Sequence, residues 1–121
     1  MNPRCFIVIP VHNRLATTLA CLQRLRRQGV FGWAAVIVVD DGSTDSTGDA
    51  IRLEFPDVEV LDGTGRLFWT GATELGMRRA VARDAEFVFW LKDDCVPEPG
   101  ALAGLLTVSR ARNAVAGGVS V

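Results

Sequence analysis

Residues 36–45 read VIVVDDGSTD, and no other stretch limits the possible fold of this chain as tightly. Four β-branched residues in a row describe a strand buried on both faces, the pattern of a parallel sheet covered by helices. The run ends on Asp40 and Asp41. Gly42 then turns the chain, and Ser43, Thr44 and Asp45 carry N-cap chemistry for a following helix. In open α/β sheets ligands bind beyond the carboxyl ends of the strands, so a site is expected here. Taken alone, the two acids have an equally plain structural reading, one capping the helix and the other facing water.

The same grammar repeats along the chain. Residues 5–10, CFIVIP, form a first strand that ends in the loop Pro10-Val11-His12-Asn13, and His12 is the only histidine. A lone histidine in such a loop is more often a structural or stacking residue than a ligand or base. Leu15, Leu19, Leu22 and Leu25 recur at helical spacing, with Arg24, Arg26 and Arg27 in the last turn and Gly29 just beyond. These mark an amphipathic helix with a basic, solvated C-terminal end. After the strand of residues 36–40, a helix over about 45–55 has Ile51 and Phe55 as core positions, and 58–61, VEVL, is a brief third strand.

Residues 62–70, DGTGRLFWT, are too glycine-rich and aromatic for a plain connector. Gly63 and Gly65 permit close backbone approach or positive φ. Arg66 has the fork to grip a phosphate, and Phe68 and Trp69 either cover a ligand or pack on the next helix. Neither a P-loop ending nor a G-x-G-x-x-G fingerprint is present. The next helix, 71–83, places Ala72, Gly76 and Ala80 four residues apart, which predicts close packing on the sheet. Residues 86–91, EFVFWL, form a fourth strand that ends in Lys92, Asp93, Asp94 and Cys95. Leu102, Leu105 and Leu106 mark one more helix, and 114–121 reads as the opening of a fifth strand whose exposed edge favours a homodimer.

Alternating strands and helices with right-handed crossovers predict one domain over 1–121, a Rossmann-like three-layer α/β/α fold with a mostly parallel sheet. The 121 residues, 49% of them hydrophobic, suffice for a real core. With 13 basic against 14 acidic residues, no global field points to nucleic acid or an anionic membrane surface. No apolar run has the length of a membrane span, and no signal-peptide layout opens the chain. Three cysteines without metal-ligand spacing suggest a reducing, cytoplasmic compartment. If the sheet reverses direction around the first strand, Asp41 and Asp94 face each other across the His12 loop. Oxygen-only ligation there favours Mg2+ or Mn2+ bridging a diphosphate rather than a closed metal cage.

The series Ile9-Pro10-Val11-His12-Asn13-Arg14, Val38 through Asp45, Phe68-Trp69-Thr70-Gly71-Ala72, and Trp90 through Asp94 with Pro99, resembles family 2 glycosyltransferases. These are inverting, nucleotide-sugar-dependent enzymes of the GT-A fold, and the aromatic-Trp-Thr-Gly block is closest to rhamnosyltransferase-type members. The resemblance implies that Pro10 lines the nucleobase pocket, with His12 beside it, and that Asp41, or else Asp40, accepts from the base ring NH. Arg66 falls where some members contact base or phosphate. Asp93 and Asp94 take the place of the D-x-D motif, Asp94 binding the metal and Asp93 the ribose or the metal's water. Lys92 departs from that motif, and its ammonium either weakens the cation's hold or pairs with phosphate itself.

The implied partners are a nucleoside-diphosphate sugar donor and a glycan or lipid-linked acceptor in cell-surface glycan synthesis, with the protein cytoplasmic or peripheral to the inner face of the membrane. In the implied reaction a base deprotonates an acceptor hydroxyl, which attacks the anomeric carbon and expels the nucleoside diphosphate. That base is expected downstream of Val121, so this chain is expected to hold the donor half alone, without the acceptor half, and to bind nucleotide without transfer. Two alternatives stand beside this reading. One is a non-catalytic nucleotide-binding or assembly module. The other is a receiver-like signalling domain, although its first strand should end in acids where this one ends in Pro-Val-His-Asn.

Overall fold

The computed structural model describes residues 5–93. Four strands alternate with three helices: β1 (Cys5–Val11), α1 (Leu15–Arg27), a short 3-10 turn (Val30–Gly32), β2 (Ala35–Asp40), α2 (Thr47–Glu54), β3 (Glu59–Asp62), α3 (Phe68–Ala82) and β4 (Phe87–Trp90). All pairings are parallel, in the order β3-β2-β1-β4. The sheet therefore reverses around the first strand, which meets the condition under which β2 and β4 flank it. Asp94, Cys95, the helix marked by Leu102, Leu105 and Leu106, and the fifth strand with its dimer edge lie outside the described residues.

The order dictates the layers. The two crossovers through α1 and α2 advance in one direction and place both helices on one face; the crossover through α3 runs back across two strands and lands on the other. Strand alternation supplies each face with its own core. Ile7, Ile9, Val36 and Val38 meet Leu22, Leu25, Ile51 and Phe55 on one side. Phe6, Val8, Ile37 and Val39 meet Ala72 and Ala80 on the other. Cys5 and Cys21 are buried free thiols, and burial pushes Cys5 up to about 12, which keeps it protonated and unreactive at neutral pH.

The small-residue row of α3 works as predicted. A Cβ on Gly76 would stand 2.2 Å from Val8 Cγ1 and 3.1 Å from Val39 Cγ2, so the helix backbone rests directly on the two central strands. The helix starts at Phe68, three residues before the expected position, because a carboxylate from a distant strand receives its first amide. The arginines ending α1 are exposed, as expected, and one of them also has a structural task. Arg26 donates to the carbonyl of Glu54 at 2.8 Å and lies 4.1 Å over the Phe55 ring. The last carbonyls of α2 have no partner within their own helix, and Arg26 supplies one while covering an aromatic edge.

Asp45 joins two helix starts. One carboxylate oxygen accepts the Leu15 amide at the head of α1, 3.1 Å away. The other accepts the amide of Thr47, also at 3.1 Å, and its hydroxyl, at the head of α2. The Thr47 hydroxyl holds the Asp45 carboxyl below the usual carboxylate range, against the opposing effect of burial.

Two outcomes are expected. Gly76→Ala should destabilise the protein by about 1–2 kcal/mol in denaturant melts, because overpacking against stiff Val8 outweighs alanine's helix propensity of roughly 1 kcal/mol. A gain in stability would show that α3 can lift off the sheet. Asp45→Ala should lower the melting temperature at pH 7. Since the folded-state pKa is depressed, that stabilisation is present above the unfolded value near ~4 and is lost as pH falls through the lower folded value. Thermal melts of both proteins should therefore converge on acidification, and a gap independent of pH would refute the charge-based account.

Candidate functional site

β1, β2 and β4 each deliver a candidate site residue just past the carboxyl end, His12, Asp41 and Asp93. The β1–β2 ladder continues one step beyond β2, with the Asp41 amide donating to Val11 at 2.9 Å. Beyond it the two loops are sewn together. The His12 Nδ1–H donates to the Asp41 carbonyl at 2.6 Å, which leaves Nε2 to accept from the Asn13 amide at 3.3 Å. The Asn13 main-chain N–H donates to Ser43 Oγ at 2.8 Å, and its side-chain oxygen accepts the Thr44 amide at 2.7 Å. His12 is thus a positioned residue whose ring orientation is set by β2's loop.

The two acids of the first pair diverge. The Asp40 carboxylate accepts the Ser43 amide at 3.1 Å, and its other oxygen lies against Gly48 in the first turn of α2, 2.6 Å from where a Cβ would stand. Asp40 therefore secures the turn and the helix start. Asp41 turns the opposite way. It is 5% exposed, and its two oxygens accept the amides of Gly65 at 2.7 Å and Phe68 at 3.0 Å. The strap of residues 63–68 is drawn across the turn after β2. A Cβ on Gly42 would lie 2.7 Å from Gly65 Cα, and both glycines hold positive φ, +72° and +89°. Phe68 also adopts a left-handed φ of +57°, a conformation costing roughly 1–2 kcal/mol for a residue with a Cβ. Its amide bond to Asp41 helps to hold it there.

The second acidic pair contributes Asp93, which is 5% exposed. Arg14 Nη1 stands 3.0 Å from one of its oxygens, and Thr18 Oγ1 donates to the other at 3.3 Å. These two residues are one turn apart on the start of α1, so Asp93 fastens the end of β4 to that helix. Sequence reasoning missed both partners. Their i, i+4 spacing was readable, but nothing local linked them to a carboxylate more than seventy residues away.

These groups surround an open cavity of about 310 Å3. Pro10, Val11 and His12 form its floor at the end of β1. Asp41 stands on the β2 side, Lys92 and Asp93 on the β4 side, Arg14 at the head of α1, and Gly65, Phe68, Trp69 and Ala72 along the strap and α3. Of the residues singled out from sequence, Pro10, His12, Asp41 and Asp93 come together here. Asp40 faces α2, Arg66 is exposed and outside the lining, and Asp94 lies outside the described residues. Phe68 and Trp69 line the cavity while remaining exposed, so of the two uses foreseen for them the ligand-facing one is available.

The described residues do not by themselves make a metal cage. No group of three histidine, cysteine or acidic side chains is gathered among them, and Asp93 already faces a guanidinium. What the edge does offer is a cavity with a largely apolar lining and a buried carboxylate at either side. No helix among the described residues is long and apolar enough to cross a membrane.

Comparison with known proteins gives this arrangement a lineage. Residues 6–121 match Glycosyl transferase family 2. The undecaprenyl-phosphate mannosyltransferase of Micrococcus luteus is 32% identical over 117 residues, a match covering 94% of this chain and 47% of that protein. The chain thus spans about half the length of the curated relative it matches. Among solved structures, the mannosyltransferase PcManGT from Pyrobaculum calidifontis, in complex with GDP-Man and Mn2+, superposes with a TM-score of 0.73 at 24% identity, over 90% of this chain and 33% of that one. TarS from S. aureus, in complex with UDP-GlcNAc, superposes with a TM-score of 0.77 at 19% identity, over 93% of this chain and 32% of that one. At such identities the solved structures speak to the fold, and it is that of GT-A glycosyltransferases. With nearly its whole length matched, in the strand order and edge geometry just described, the chain belongs to glycosyl transferase family 2.

Proposed function

We propose that the cavity binds the nucleoside diphosphate of a sugar donor, and that the protein transfers the sugar to an acceptor hydroxyl with inversion. One observation carries the reading: acids following β2 and β4, the strands on either side of β1, line a single cavity with Pro10 of β1 and His12 just beyond it. An arrangement of that kind suits a ligand with a base at one end and phosphates at the other. The two similar solved structures, in complex with GDP-Man and with UDP-GlcNAc, support a nucleotide-sugar donor.

In this reading the base lies on Pro10 and against Asp41. An ionised carboxylate has about four lone-pair sites, so Asp41 can accept a base NH while keeping the Gly65 and Phe68 amides. His12 stays fixed by the Asp41 carbonyl and shapes the pocket wall. Phe68 and Trp69 shield the ligand from water on the α3 side. Asp93, held by Arg14 and Thr18, contacts the ribose or the water around a cation, and Asp94 is the carboxylate that would hold Mg2+ or Mn2+. One or two carboxylates plus substrate phosphates are the customary protein share for these ions. Bound there, such a cation stabilises charge on the departing diphosphate. We assign the general base to none of the described residues.

The chain supplies the donor side of the enzyme. The name of the M. luteus relative supports a lipid-linked acceptor in cell-surface glycan synthesis, and the two buried free thiols suit a reducing cytoplasmic setting.

Calorimetric titration with UDP, dTDP and GDP, each with and without Mn2+, tests the proposal. One nucleotide should bind, more tightly with Mn2+. Asp94→Ala should remove the effect of Mn2+, and Asp41→Asn should reduce discrimination among the bases about tenfold, the worth of one hydrogen bond to a charged group. Failure of all three nucleotides to bind under either condition would reject the donor-site assignment.

A further inference from the structure

We propose that Lys92 is a specificity-determining residue that grips the donor's diphosphate directly, so that part of the nucleotide affinity survives removal of the divalent cation. The inference rests on the donor-site reading above and concerns one residue which that reading leaves without a task.

Two cations line the described cavity, Arg14 and Lys92, and their situations differ. Arg14 is ion-paired at 3.0 Å with buried Asp93. Lys92 is exposed and has no hydrogen-bond or ion-pair partner among the described residues. The two lining acids are already answered, Asp93 by Arg14 and Thr18, and Asp41 by two backbone amides. Within the described lining, Lys92 therefore carries the positive charge left for a ligand. Its position also fits. It follows the end of β4, across β1 from Asp41, so a base held at Asp41 directs its phosphates toward β4. A lysine ammonium is a compact charge with three donors on a flexible stem, suited to a diphosphate that presents several oxygens. A purely solvated lysine, the plain alternative, makes no distinction between a nucleoside diphosphate and its monophosphate.

That difference can be measured. The 121-residue chain and its Lys92→Ala and Lys92→Arg variants are titrated calorimetrically with GDP, UDP and the matching monophosphates, first in EDTA and then in Mn2+. Because Lys92 is exposed, equal melting temperatures are expected and verify that the variants are folded. In EDTA the wild type should prefer the diphosphate about tenfold or more. Lys92→Ala should bring the two within about twofold, and Lys92→Arg should retain the preference. Equal diphosphate affinity in wild type and Lys92→Ala overturns this proposal alone. So does wild-type binding that occurs only in Mn2+, which leaves the donor-site reading standing. Absence of nucleotide binding by the wild type in both buffers overturns the donor-site reading and this proposal with it.

Discussion

β1 is paired on both edges and covered on both faces, and all seven of its residues are buried. The remainder of the described structure follows from that placement. A strand with parallel neighbours on both sides has to be entered by crossovers of opposite direction, and right-handedness then puts α3 on the face opposite α1 and α2. The same reversal opens a gap above the end of β1, because the chain leaving β2 runs to α2 on one face and the chain leaving β3 runs to α3 on the other. The cavity occupies that gap. Its floor is Pro10 to His12 because β1 is the strand from which both neighbours diverge.

Buried or half-buried carboxylates crowd this edge, and each is answered by a different device. Asp40 serves the turn after β2 and the start of α2. Asp45 ties the starts of α1 and α2. Asp41 receives the first amide of α3, and Asp93 receives Arg14 and Thr18 from α1. Three helices thus begin on carboxylates from the loops after β2, where unpaired N–H groups and the positive end of the helix dipole favour an anion. The plain and the functional readings of these acids are therefore compatible. A carboxylate held by backbone amides is pre-organised, and it still has lone pairs to offer a ligand. This also explains how a small domain tolerates so many acids at one end. Few of them face one another without an intervening donor.

The strap of residues 63–68 carries conformational strain at the site. Phe68 holds a positive φ that a residue with a Cβ rarely adopts, Gly65 supplies another, and Gly42 has to lack a side chain for the strap to pass. Strain of this kind persists when surrounding contacts over-determine it. Here the Asp41 carboxylate is the clamp, and exposed Phe68 and Trp69 are what it presents to the cavity.

Much of this was legible in the residues alone. Four apolar runs and their turn signals mark the strands; leucines at helical spacing mark α1; Ala72, Gly76 and Ala80 announce a helix lying flat on a sheet. The strand-then-acid pattern at Asp40–Asp41 and at Asp93 locates the functional edge, because backbone geometry sends consecutive strand ends of a parallel sheet to the same side. These properties are local, set by side-chain period and by residues that start or stop an element. Which acid of a pair faces the cavity was decided by tertiary structure. Asp40 and Asp41 differ by one residue, and strand alternation together with the α2 start turns one inward to the helix and the other to the strap. The early start of α3, the pairing of Asp93 with Arg14 and Thr18, and the crossing of Arg26 to the end of α2 also depend on partners distant in sequence. Periodicity cannot encode such pairings, since they exist once the sheet has brought three separate strand ends to one edge.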